Sequence, residues 1–129
     1  LYAVIWHRNH LGIMSAEALT GTGGMYNYDF TTGPAQVYGG MLATKELAPG
    51  IWGMVSGDGN ADGKVENQDK NDVWFPQRGS TLGYFSGDFN MNSSVQDTDN
   101  SLYWKPNAGM GTKVLEGVPA NGYSTQVPE

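Results

Sequence analysis

Apolar and polar positions form clear patterns in only a few stretches of the chain. Leu1 to Trp6 is a run of apolar, aromatic and β-branched residues, which predicts a strand, and Leu11 to Met14 predicts its continuation past a bulge. Tyr26, Tyr28 and Phe30 alternate with Asn27 and Asp29, the period of two of a half-buried strand. Thr22-Gly-Gly24 and Thr32-Gly-Pro34 read as turns, and Gln36 to Tyr38 as another short strand. Glu17 to Thr20 is too short for a helix. The expected organisation is a partial antiparallel β-sandwich over residues 1–55, a module of paired loops over 56–115 and a tail over 116–129. So few strands make a thin sandwich, which implies completion by strands from elsewhere or from a neighbouring copy. An unpaired apolar edge is a template for such strand addition.

Further along, the period changes. Asn67 to Phe75 and Asp97 to Lys105 are compatible with short helices, and Pro76 and Pro106 are placed to stop them. Val65 and Val73, like Val95 and Tyr103, stand eight apart and would share a helical face or its start. No helix is expected ahead of either loop. Ile51 to Val55 and Leu82 to Phe85 are short, glycine-broken and strand-like. The unit is therefore loop then helix, in a chain that is mainly β with short helices.

The two units are copies of one another. Shifting the chain by 30 residues lays Gly53, Ser56, Gly57, Asp58, Asn60, Val65, Asp69, Trp74, Pro76 and Gly79 on identical residues at 83, 86, 87, 88, 90, 95, 99, 104, 106 and 109. Chance would give about two or three such matches, so the segment reads as a duplication.

The spacing within each copy is that of a calcium-binding loop. In the first, Asp58, Asn60, Asp62, Glu66 and Asp69 put oxygen-bearing side chains at loop positions 1, 3, 5, 9 and 12. Gly63 stands at position 6, where the turn is sharp, and Lys64 offers its backbone carbonyl at position 7. Calcium takes six to eight hard oxygens in flexible geometry, and alternate residues of a tight loop converge on one centre. Val65 at position 8 faces the core. The second copy keeps Asp88, Asn90, Asn92 and Asp99, with the Ser94 carbonyl at position 7. It has fewer carboxylates, and Ser93 replaces the glycine, so it predicts a weaker site. One calcium ion is expected in the first loop, and a second ion or a metal-free loop in the second. Asn92-Ser93-Ser94 is also a glycosylation sequon, read as coincidental at a ligand position.

Charge follows the loops. Between residues 58 and 99 lie eight acids and three bases, so −5 of the net −6 falls there. The acidic balance argues against nucleic acid and acidic membranes as partners. No apolar run approaches the roughly 20 residues of a membrane span. The absence of cysteine removes disulfides, zinc–thiolate sites and a cysteine nucleophile. Leu1 is not an initiator methionine, and the chain reads as a mature product or a fragment.

Residues 56–109 resemble the duplicated calcium-binding segments of type I dockerins, D-x-N-x-D-G-x-V-x-x-x-D twice without an entering helix. The first loop matches closely and the second loosely. The resemblance implies calcium-dependent folding in an extracellular setting. It carries ligand roles onto Asp58, Asn60, Asp62, Lys64 (carbonyl), Glu66 (directly or through water) and Asp69. It carries them less strongly onto Asp88, Asn90, Asn92, Ser94 (carbonyl) and Asp99. Trp74-Phe75-Pro76 and Trp104-Lys105-Pro106 depart from the pattern, because they shorten the helices that cohesin-binding dockerins present. The whole chain is similar to C-terminal portions of large secreted bacterial surface proteins, through His7-Arg-Asn-His10 and Tyr28-Asp-Phe-Thr-Thr32.

No serine–histidine–acid pattern, phosphate loop or H-E-x-x-H helix is present, so no enzyme is expected. His7 and His10 read as a polar turn, since a metal shared by residues three apart on a strand requires a turn between them. Trp52, Trp74 and Trp104 read as core rather than as sugar platforms. The expected function is a calcium-stabilised extracellular structural module. The alternatives are a filament subunit that exchanges its N-terminal strand, or a carbohydrate-binding adhesion module.

Overall fold

The computed structural model describes residues 1–108 and 123–128. Parts of the expected loop module and tail, residues 109–122 and 129, lie outside the described residues. Strand β1 (Val4–His7) pairs antiparallel with β2 (His10–Met14), in the register Val4↔Met14, Ile5↔Ile13 and His7↔His10. Leu11 to Met14 therefore does not continue the first strand past a bulge. The chain reverses at Arg8-Asn9 and the two apolar runs face one another. Strands β3 (Gly21–Thr22) and β4 (Met25–Tyr26) flank Gly23 and Gly24, whose φ angles of 63° and 80° suit a two-residue hairpin.

The strand expected through Phe30 ends at Tyr26. The carboxylate of Asp29 accepts hydrogen bonds from the Thr31 N–H and hydroxyl at 2.8 and 2.6 Å, and this local turn replaces the ladder. Gln36 to Tyr38 is likewise no strand. Pro34–Gln36 forms a 3₁₀ turn, and only Val37 bridges to Ser15. Strands β5 (Thr44–Ala48) and β6 (Ile51–Met54) make a third hairpin. The described strands thus form three two-stranded antiparallel sheets with short helices and no barrel. Leu82 to Phe85 is not extended into a strand.

A helix follows each loop, as expected, but both are wider than α-helices. Asp69–Trp74 and Asp99–Trp104 are π-helical, with i→i+5 bonds from Phe75 N to Lys70 O and from Lys105 N to Asn100 O. The first runs on into an α-helical turn, Phe75–Gln77, so Pro76 lies inside the helix instead of ending it. The wide turn relieves the clash a proline ring makes with the carbonyl four residues back.

Two apolar clusters hold these pieces. Leu11, Val55, Val65, Trp74, Phe89, Val95 and Trp104 form one, and Ile13, Val37 and Ala43 form the other. Leu11 comes from β2 and Val55 follows β6, so the hairpins and both loops bury their apolar groups together. The segment 123–125 lies against the first loop through bonds from Val65 N to Tyr123 O and from Thr125 N to Gly63 O.

Candidate metal centre

The two loops carry equivalent networks of side-chain-to-backbone hydrogen bonds. In the first, the Asp58 carboxylate accepts from the N–H groups of Asp62 and Gly63, both at 3.1 Å. Asn60 Oδ1 accepts from Asp62 N, and Asp62 Oδ1 from Lys64 N, each at 3.0 Å. Asp69 reaches back across the loop to accept from Gly59, Asn60 and Glu66 N–H groups at 2.9, 3.2 and 2.7 Å. In the second loop, Asp88 accepts from Asn92 and Ser93. Asn90 accepts from Asn92, and Asn92 from Ser94. Asp99 accepts from Asn90 and Gln96. The pairing of Gly63 O and Val65 N with residues 123–125 leaves the Lys64 carbonyl outside the ladder. Ser94 is likewise the bridging residue opposite Thr81, while Val95 N bonds Ser80 O.

Backbone conformation matches between the copies. Gly63 has φ of 86° and Ser93 of 70°, so position 6 is left-handed in both. Position 4 is also left-handed, with Ala61 at 59° and Met91 at 62°, a demand that neither residue type announces.

Burial makes the acids unusual. Asp58 is 3% exposed, Asp88 1%, and Asp69 and Asp99 are fully buried. Burial is the main reason that the Asp58 carboxyl is pushed up to about 7, with the negative charge of Asp69 adding to it. Burial also raises Asp69, to about 6, against the pull of its three backbone donors. Asp99 is raised for the same first reason. Among the described residues, ion pairs involve Asp88 and Asp97 but neither Asp58 nor Asp69.

The two loops differ in what lies beside them. Arg8, from the β1–β2 turn, places Nη2 3.8 Å from Asp88 Oδ2, and its guanidinium stacks 3.6 Å over the Tyr84 ring. The position-9 carbonyls are capped crosswise. Trp74 of the first helix donates Nε1–H to Gln96 O at 2.9 Å, and Trp104 of the second donates to Glu66 O at 3.1 Å. Both indoles are buried in the core, where neither can stack on a sugar. No sequence signal marked Arg8 as a neighbour of the second loop. The crossing of the tryptophans was implicit only in their repeat positions.

Among the described residues, no group of three or more His, Asp or Glu side chains gathers as a metal-binding set. A calcium loop takes part of its oxygens from amides and backbone carbonyls. The second loop offers only Asp88 and Asp99 as carboxylates at the expected positions. Comparison with protein-family models, curated proteins and solved structures finds no match to this chain.

Proposed function

We propose that the chain is a calcium-stabilised, non-enzymatic structural module of an extracellular or cell-surface protein, with dockerin-like loops. The observation that carries this reading is the buried pair Asp58 and Asp69, which has no basic partner among the described residues. Buried carboxylates without a counter-charge are strongly disfavoured, and a bound cation removes that penalty. Asp58, Asn60, Asp62, Asp69 and the Lys64 carbonyl are the donors that fit, with Glu66 in reach directly or through water. When bound, calcium supplies the positive charge and the link between the loop's two ends. The backbone N–H groups already fix the carboxylates, so the residues hold their places before the ion arrives.

Arg8 supports ranking the second site below the first, because a cation beside Asp88 partly satisfies the charge that calcium would. The test is a thermal melt of the full chain in calcium and in chelator. Calcium at a hundredfold excess over Kd stabilises by about 3 kcal/mol, giving a higher midpoint. An unchanged midpoint at millimolar calcium overturns the reading. Asp58→Ala lowers calcium affinity more than Asp88→Ala.

A second reading, strand addition between copies, is supported by β1. Among the described residues it pairs only with β2 in its sheet, its Trp6 is 66% exposed, and Leu1 and Tyr2 just before it are 74% and 51% exposed. Growth of the scattered-light mass with concentration in calcium supports it, and a monodisperse monomer overturns it.

A further inference from the structure

The β1–β2 turn does something that the sequence alone made conditional: it brings the chain's two histidines together. His7 and His10 are register partners across Arg8-Asn9, with ring centroids 4.6 Å apart and planes at 89°. Beside them is a cleft of about 230 Å³, lined by His7, His10, Leu47, Met54 and Met91. Its lining therefore joins two imidazoles and two thioethers and, among the described residues, contains no carboxylate.

The histidines are prepared as ligands. Asn9 Nδ2 donates to the Ser86 and Asp88 carbonyls at 3.2 and 2.7 Å, which fixes the orientation of the amide. Its Oδ1 must then be the acceptor in the 2.8 Å contact with His10 Nδ1. The proton of His10 is thereby assigned to Nδ1, and Nε2 keeps a lone pair. An outer partner that sets the tautomer in this way is the usual support of a metal-ligating imidazole. His7 Nδ1 is buried and has no hydrogen-bond partner among the described residues. Such an orphan is costly unless something satisfies it.

We propose that this cleft binds one soft monovalent copper ion, Cu(I), through the His7 and His10 imidazoles and the Met54 and Met91 thioethers. Ligand softness selects the metal. Thioethers favour Cu(I), imidazole accepts it, and hard calcium or magnesium finds no anionic oxygen here. Met91 occupies position 4 of the second loop and Met54 ends β6, so the ion would tie the first hairpin to both. The inference does not depend on calcium occupying either loop.

The test uses the full chain in excess calcium, without oxygen and with ascorbate, titrated into Cu(I) held by a chromophoric bicinchoninate chelator. The expected result is withdrawal of one equivalent of Cu(I). The double variant Met54→Leu/Met91→Leu preserves side-chain volume and should lower the Cu(I) affinity at least tenfold. The control Met25→Leu/Met41→Leu removes two exposed thioethers and should leave the affinity unchanged. An equal concentration of Zn(II) should not displace the copper. If no Cu(I) is withdrawn, if both double variants lose affinity alike, or if Zn(II) displaces the ion, the proposal is overturned. A second measurement guards against misfolded variants. In the unmodified protein with methyl-labelled methionine, Ag(I) should shift the Met54 and Met91 methyl resonances and leave Met25 and Met41 in place. Equal shifts at all four, or none, also overturn it.

Discussion

Ser93 and Gly63 occupy the same left-handed corner of the two loops, and only one of them suits it. A left-handed conformation costs a non-glycine residue about 1–2 kcal/mol, part of which glycine returns through its freer unfolded chain. Ser93→Gly should therefore stabilise the protein by about 0.5–1 kcal/mol and, if the second loop binds calcium as proposed, tighten that binding. Gly63→Ala should do the opposite, because φ is 86° and an added Cβ would stand 2.7 Å from the Thr125 methyl. Thermal melts in calcium check both.

His10 gives a second residue-scale expectation. Burial first, then the charges of His7 and Arg8, holds its pKa down to about 4, below the ordinary value of 6.5. The unfolded chain then takes the proton before the folded one does. The stability His10 confers is complete above pH 6.5 and is lost as pH falls from there toward 4. Urea melts in excess calcium at pH 7 and pH 5 should show this slope, and His10→Gln should flatten it. At this scale the sequence was readable where a residue type is diagnostic, as Gly63 is. It was silent at Ala61 and Met91, whose backbone conformation comes from the loop and not from their side chains.

Among the elements, the exit helices were the most legible. Val73 and Tyr103, each eight residues after the loop valine, marked both, although Pro76, expected to stop the first, lies inside it. Their π winding was not legible, since i→i+5 bonding leaves no periodicity in six residues. The hairpin Thr44–Met54 was half missed, because Thr-Lys-Glu-Leu-Ala carries no strand alternation and its pairing with Ile51–Met54 sets the conformation. The strand expected at Tyr28 and Phe30 gave way to the Asp29 turn, where a side-chain acceptor outcompeted the ladder. The crossed tryptophan bonds make a prediction that separates the two copies. Trp104→Phe keeps an aromatic ring and drops one hydrogen bond to a half-buried carbonyl, a loss of about 1 kcal/mol or roughly fivefold in affinity. That loss should fall on the proposed calcium site of the first loop, and Trp74→Phe should weaken the one proposed in the second. Calorimetric titration of each variant checks the crossing, and equal effects on both sites would contradict it.

For the molecule as a whole, the shared core matters more than the sequence boundary at residue 55 suggests. Leu11 is fully buried among Val65, Val95 and the two loop tryptophans. Leu11→Ala should cost about 2–5 kcal/mol, as buried leucine truncations do. Loop and hairpin signals should be lost in one transition, read by tryptophan fluorescence and by histidine resonances. Local spacing encoded the loops, which is why the residues whose side chains cross them could be named beforehand. Contacts between residues far apart in sequence, such as Arg8 with Asp88 or Asn9 with Ser86, left no local trace. The segment 123–126 extends this logic. Thr125 donates its N–H to Gly63 O at 2.7 Å and its hydroxyl to Gly12 O at 2.8 Å, and Gln126 covers Gly39. Tension carried through this short strap would reach the first loop and the β2 hairpin at once. If the first loop holds calcium as proposed, the ion would set the mechanical strength of the chain as well as its melting point, and dissolved calcium would tune the force at which the molecule yields.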